Sequence, residues 1–286
     1  MPSDLYALTL SCPNRPGLVA ALAGALFENK ANIVEAQQFD DEETGAFFAR
    51  IGFRFVGASD IHALRRSLEK IAGAFAVVWS IRNLADRPRV LIMVSRFDHC
   101  LLDLLYRWRI GELGMDVVGI VANYPREIYR HHDFSGVPFD YLPVRNDTRT
   151  EQEAELSRII DDRQVDLVVL ARYMQVLSQT LSAKISGRCI NIHHSFLPGF
   201  KGGKPYHQAH ALGVKQIGAT AHYVTEDLDE GPIIEQDVER VSHYDTPEAL
   251  VRKGRDIERR VLSRAVAWHL AGRVLLNGRK TVVFRD

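Results

Sequence analysis

The chain has 286 residues, 46% apolar and 25% charged, with Lys+Arg and Asp+Glu both at 36 and a formal net charge of zero. That length supports two domains with sizeable cores, and that balance argues against a long nucleic-acid surface or attachment to an anionic membrane. No apolar run reaches transmembrane length and no leader pattern opens the chain, while Cys12, Cys100 and Cys189 lack CxxC spacing; a cytoplasmic protein with reduced, buried thiols is expected.

In chain order, residues 4–12 alternate as a strand, and Pro13-Asn14-Arg15-Pro16-Gly17 reads as a loop. Leu18, Ala21, Leu22, Ala25 and Leu26 follow at helical spacing. Strands are expected at 31–39 and 46–56 around a polar turn at 40–45, then a helix at 61–73 and a strand at 76–82. The order βαββαβ over residues 1–84 is one ferredoxin-like α+β domain. Ala85-Asp86-Arg87-Pro88-Arg89 reads as the linker into a second domain, 85–286. There, strands at 90–94, 117–122, 139–144 and 167–170 alternate with helical segments, the first helix spanning about 100–113. This predicts an α/β, Rossmann-like, mostly parallel sheet with ligands beyond the carboxyl ends of its strands. Residues 217–224 and 233–241 read as an antiparallel pair, and 247–270 as a long helix with Thr246 at its N-cap.

Cys189-Ile190-Asn191-Ile192-His193 reads as a short strand that breaks into His194-Ser195-Phe196-Leu197-Pro198-Gly199-Phe200. Side chains alternate along a strand, so Asn191 and His193 share one face while Ile190 and Ile192 take the other. An amide donor and a titratable imidazole facing one space suit oxyanion stabilisation and proton transfer. Asp229, in Asp227-Leu228-Asp229-Glu230-Gly231-Pro232, would favour the imidazolium and orient the ring if it lies beside His193. Each residue also has a plain structural reading: an Asn tying down a turn, a His in a polar corner, an Asp ahead of a Gly-Pro turn. His222, on the face it shares with Thr220, reads as support for the site or as core. HExxH is absent, and in the adjacent pairs His131-His132 and His193-His194 strand neighbours face opposite ways, so no catalytic metal is expected. Ser195 lacks a GxSxG elbow, which argues against a serine hydrolase.

Taken in order, Asn191-Ile192-His193, Ser195 with Leu197-Pro198, Gly218-Ala219-Thr220-Ala221-His222 and Asp229 with Gly231-Pro232-Ile233-Ile234 resemble the folate-dependent formyltransferase family, over roughly residues 88–286. The resemblance implies that Asn191, His193 and Asp229 are the catalytic set. It places the folate along Leu170–Leu177, on Met174, Gln175 and Leu177 with His222 beside them. Some transferases carry Arg where Gln175 stands. Residues 1–84 resemble an ACT domain, through the βαββαβ order, the Asn14-Arg15-Pro16-Gly17 loop and Ala31-Asn32-Ile33. That implies a homo-oligomer, at least a dimer, and an amino-acid effector at Asn14, Gly17, Asn32 and Ile33. A purely structural dimerisation module is the other reading of this domain.

One departure bears on the reaction. Family members that formylate a phosphorylated amine carry a Gly/Ser/Asn-rich loop after the first strand. Here the place reads Val94-Ser95-Arg96-Phe97-Asp98-His99-Cys100, without glycine. Water as second substrate follows, and Lys204-Pro205-Tyr206-His207-Gln208 adds to the likeness with water-using members. The resemblance then implies hydrolysis of 10-formyltetrahydrofolate to tetrahydrofolate and formate, with no tightly bound cofactor. Its role would be to balance the one-carbon folate pool and supply formate for purine synthesis. Transfer to glycinamide ribonucleotide and a non-catalytic amino-acid sensor are the alternatives. A transfer-RNA substrate is disfavoured by the neutral charge.

Overall fold

The computed structural model describes residues 4–57, 60–145, 147–199 and 205–285. Phe200 and Lys204, both singled out in the sequence, lie outside the described residues. The chain divides into two compact units. The first holds Met1–Asp86, Ala271–Asn277 and Thr281–Asp286; the second holds Arg87–Leu270 and Gly278–Lys280. A single cut after residue 84 assigns all of 85–286 to the second domain, whereas the C-terminal segments pack with the first.

In the first unit, β1 (Leu5–Pro13), β2 (Ala31–Asp41), β3 (Ala46–Phe55) and β4 (Val78–Asn83) form an antiparallel sheet in the order β2-β3-β1-β4. Alternation in β1 turns Leu8 and Leu10 inward against Phe53, Leu26 and Leu64, all 0–1% exposed. Burying such a side chain stabilises by roughly 1.5–3 kcal/mol. Helix α1 (Leu18–Glu28) presents Leu18, Leu22, Ala25 and Leu26 to this core. Helix α2 (Ile61–Phe75) starts at Asp60, whose carboxylate accepts the His62 N–H at 2.8 Å.

The C-terminal part of this unit was not legible as an element. After Leu270 the chain forms a hairpin of β12 (Val274–Asn277) and β13 (Lys280–Val283). Arg50, 2% exposed, ties it down: its guanidinium donates to the Ala271 carbonyl at 3.1 and 3.3 Å and to Glu35 at 2.6 Å. Arg273 reaches the same Glu35 at 3.1 Å.

In the second unit, the described residues form a seven-stranded sheet of β5 (Arg89–Val94), β6 (Asp116–Ala122), β7 (Phe139–Tyr141), β8 (Leu167–Leu170), β9 (Cys189–His193), β10 (Gln216–Tyr223) and β11 (Ile233–Arg240). The order is β11-β10-β9-β8-β5-β6-β7. β5 to β9 run parallel, while β10 is antiparallel to both its neighbours. The strand order therefore reverses between β5 and β8. All of β8 is buried, as expected of a strand covered on both faces. The covering helices include α3 (His99–Arg109), α4 (Arg149–Asp162), α5 (Gln179–Lys184), α6 (Pro205–Ala211) and α7 (Pro247–Leu270).

Two bounds differ from the sequence expectation by three residues or more. α3 ends at Arg109, not near 113, because Gly111 turns left-handed (φ 80) and the Glu112 N–H closes on the Arg107 carbonyl at 2.9 Å. β7 ends at Tyr141, ahead of Pro143, which lacks the N–H that a longer ladder would need. The long helix α7 has the expected bounds, and the Thr246 hydroxyl accepts the Ala249 N–H at 3.3 Å.

Candidate active site

Pairing of β9 with β10 sets Thr220 opposite His193 and His222 opposite Asn191. Directly opposed residues share a sheet face, so all four point the same way. The chain leaving β9 is pinned by hydrogen bonds from β10 and β11. Thr220 Oγ1 donates to the Ser195 carbonyl at 2.9 Å and accepts the Leu197 N–H at 3.0 Å. Gln236 donates to the Leu197 carbonyl and to Thr220 Oγ1, at 3.0 and 2.9 Å. Ser195 spends its hydroxyl on the Gly199 carbonyl at 2.7 Å, so it is a loop-former.

Asp229 comes from the β10–β11 loop with a left-handed backbone, φ 56. A non-glycine residue held there is strained, and such strain gathers at functional sites. The loop is pulled tight at Gly231, where a Cβ would fall 1.7 Å from the Tyr223 carbonyl oxygen. Tyr223 N–H donates to the Pro232 carbonyl at 2.9 Å, closing the turn.

The structure brings Asn191, His193, Asp229 and His222 together. His222 Nδ1 lies 2.9 Å from the Tyr223 carbonyl, which can only accept, so the proton is on Nδ1. Its Nε2 is then an acceptor and takes one Asn191 amide hydrogen at 3.2 Å. Burial holds the His222 imidazole below its usual value, against the pull of the Tyr223 carbonyl and the Asp229 charge, so it stays neutral. This orients the Asn191 amide and leaves its second N–H free to donate. His193 Nδ1 lies 3.3 Å from Asp229 Oδ1. Its Nε2 is buried and has no hydrogen-bond partner. Burial works to raise the Asp229 carboxyl, but the hydrogen bond and charge of His193 outweigh it and hold the group below the ordinary range.

These groups line a cleft of about 310 Å³. Its other wall is Leu170, Met174, Gln175, Val176, Leu177 and Val224. Met174 is 51% exposed, so it is a cleft residue and not core. A mostly apolar slot with a few convergent polar groups suits a flat heteroaromatic ring.

A second polar group was not legible in the sequence, because its members come from three helices and the loop after β8. Glu258 of α7, 1% exposed, accepts from Tyr206 at 2.6 Å and meets His99 at 2.8 Å and Arg172 at 3.2 Å. His99, Cys100 and Glu258 bring ligand-type atoms within 4.8 Å of one another. Both Glu258 oxygens are already committed to Tyr206, His99 and Arg172, which fits an ion-pair network and not a metal centre. His194, stacked on His193 at 5.1 Å, is pushed down to about 3 by burial first and by the Arg172 charge next.

The four residues expected to hold an effector are not gathered in one chain. Asn14 and Gly17 follow β1, whose Pro13 pairs with Ala46, as does Asp41 of β2. Asn32 and Ile33 sit at the opposite end of β2, paired with Arg54 and Phe53. At a strand rise near 3.3 Å per residue the two pairs are about 30 Å apart.

The fold and the site define a formyl-transfer domain joined to an ACT domain. The formyl transferase family matches residues 88–266 and the ACT domain family residues 6–73. A formyltetrahydrofolate deformylase from Corynebacterium sp. (strain P-1) is 48% identical over 283 residues, 98% of each chain. The crystal structure of a formyltetrahydrofolate deformylase from Burkholderia mallei matches with TM-score 0.92 and 52% identity, over 99% of this chain and 100% of that one. A glycinamide ribonucleotide transformylase from Symbiobacterium toebii matches with TM-score 0.64 and 30% identity, over 70% of this chain and 95% of that one. The chain belongs to the formyltetrahydrofolate deformylase family.

Proposed function

We infer that this protein hydrolyses 10-formyltetrahydrofolate to tetrahydrofolate and formate, with Asn191, His193 and Asp229 as its catalytic residues. The observation that carries the residue assignment is the convergence of two unspent nitrogens on one cleft: the Asn191 amide, with its second hydrogen, and His193 Nε2. Water, positioned by Asp229 and losing a proton to it, attacks the formyl carbon, and the carbonyl oxygen becomes an oxyanion that these two groups hold. Asp229 fixes the ring of His193 by accepting from Nδ1, and with the ring protonated Nε2 presents an N–H to the oxyanion. As the carbon–nitrogen bond breaks, N10 takes a proton, delivered by His193 or through water. The pterin lies along Met174, Gln175 and Leu177, with His222 beside them and also orienting Asn191. The scheme uses no metal or bound cofactor.

Transfer to glycinamide ribonucleotide is the second reading, favoured by the fold shared with the transformylase. Ser95 speaks against it. It is 2% exposed, its hydroxyl bridges Asn123 and the Met174 N–H at 2.7 and 2.9 Å, and its carbonyl accepts from Tyr129. The first polar side chain of that loop is thus committed within the protein and does not face a phosphate. Formate release from 10-formyltetrahydrofolate, with no acceptor and then with glycinamide ribonucleotide, separates the two. Acceptor-independent release supports the hydrolase; release as formylated amine alone overturns it.

In the first unit, β2 is an edge strand with Ile33, Val34 and Phe39 38–50% exposed. A long apolar edge calls for a cover, and a second copy of the chain supplies one. An amino acid that used both Asn14/Gly17 and Asn32/Ile33 would then lie between two copies. No helix among the described residues is long and apolar enough to cross a membrane. A cytoplasmic role in balancing the one-carbon folate pool and supplying formate for purine synthesis completes the reading.

A further inference from the structure

In an open α/β sheet, ligands sit beyond the carboxyl ends of the strands where the strand order reverses. Here that point lies between β5 and β8, and the chain fills it with its own side chains. Ser95, the first residue after β5, donates its N–H to the Arg172 carbonyl at 3.2 Å. Arg172, just past β8, turns a buried guanidinium onto Glu258 at 3.2 Å. His99 from α3 and Tyr206 from α6 close on the same carboxylate at 2.8 and 2.6 Å. The cluster abuts the reaction centre: the Tyr206 ring lies 6.5 Å from that of His194, which stacks on His193.

Stability alone does not account for this arrangement. Desolvation of buried ions offsets much of their attraction. Arg172 meets Glu258 through Nε as an ion pair outside hydrogen-bond geometry, leaves Nη1 buried without a hydrogen-bond partner, and holds a left-handed backbone (φ 66) that favours glycine. A large cation is thus kept at a position whose backbone suits the smallest residue.

We propose that Arg172, with Glu258, His99 and Tyr206, plugs the acceptor side of the reaction centre, excludes primary amines and leaves water as the only nucleophile that reaches the formyl carbon. This rests on the hydrolysis inferred above. In the excluded reaction the amine nitrogen bonds to the formyl carbon and the carbon–N10 bond breaks with its electron pair on N10. The proton lost by the amine passes to N10, giving an N-formyl amine and tetrahydrofolate.

The test is the ratio of N-formyl amine to formate, read by mass spectrometry with glycinamide as the amine and corrected for the reaction without enzyme. Formate release by the wild type is read first, without amine; its absence would overturn the hydrolysis reading and the plug with it. With amine, the wild-type ratio is expected to stay flat as glycinamide rises. Arg172→Gly, which the backbone accepts, is expected to raise the ratio about tenfold or more at equal amine concentration. Glu258→Gln, nearly the same shape, loosens the ion pairs and is expected to move the ratio the same way. A wild type that formylates glycinamide in proportion to its concentration would overturn the proposal. So would both variants keeping the wild-type ratio with native melting and folate binding.

Discussion

Asn191 is held by one hydrogen to His222 and, in the proposed mechanism, offers the other to the oxyanion. Removing that donor leaves an oxyanion partly unsupported, while the pterin wall is untouched. Asn191→Ala should therefore lower kcat about a hundredfold or more and leave folate affinity within a few fold. Steady-state kinetics with equilibrium folate binding checks this; equal losses in both would contradict the role. The buried His194 makes a different prediction. Its folded pKa of about 3 lies below the ordinary 6.5, so the unfolded chain binds the extra proton first. Stability should be unaffected above pH 6.5 and fall as pH drops from there toward 3, by on the order of 1 kcal/mol per pH unit. Burial moves His222 in the same direction. Denaturant unfolding across that range should show a shallower loss in His194→Asn. Asn191, His193 and Asp229 were legible in the sequence because each stands in a short ordered motif. The cluster of Glu258, His99 and Tyr206 was not: His99 and Tyr206 stand in segments singled out for other reasons, Glu258 carries no local signal, and only the packing of α3, α6 and α7 brings the three together.

At the scale of elements, the site depends on how tightly the β10–β11 loop is drawn. A Cβ at Gly231 would overlap the Tyr223 carbonyl at 1.7 Å, and that oxygen belongs to rigid strand backbone. Gly231→Ala should shift the loop, displace Asp229 and lower both thermal stability and kcat. A melting curve and a turnover assay check it, and a variant with native values in both would show that the loop yields. Most elements could be read from alternation and helical spacing, including α7 with its Thr246 cap. The β12–β13 hairpin escaped, although Asn277-Gly278 is a strong turn signal, because its strands are only four residues long. The overlong reading of α3 ignored the stop at Gly111.

At the scale of the whole molecule, the last residues of the chain belong with the first unit. Deleting everything after Leu270 would strip Arg50 of the Ala271 carbonyl and Glu35 of Arg273, leaving a buried guanidinium with one partner fewer. Such a loss costs about 1.5–3 kcal/mol. The truncated chain should show an earlier-melting transition for the first unit, visible by calorimetry; an unchanged profile would mean the hairpin is dispensable. The two-unit division follows from the change in pattern near residue 86, where βαββαβ gives way to parallel strand-helix alternation. The return of the tail did not follow, since pairing at such sequence separation leaves no local trace.

In the proposed mechanism water, and no other nucleophile, takes the formyl carbon in the cleft of Asn191, His193 and Asp229. The direct measurement is a single turnover of 10-formyltetrahydrofolate in water enriched in oxygen-18, with mass analysis of the formate. One labelled oxygen in each formate, with release abolished in Asp229→Ala, is the predicted result. Unlabelled formate, or a formyl group recovered only on an amine, would contradict it.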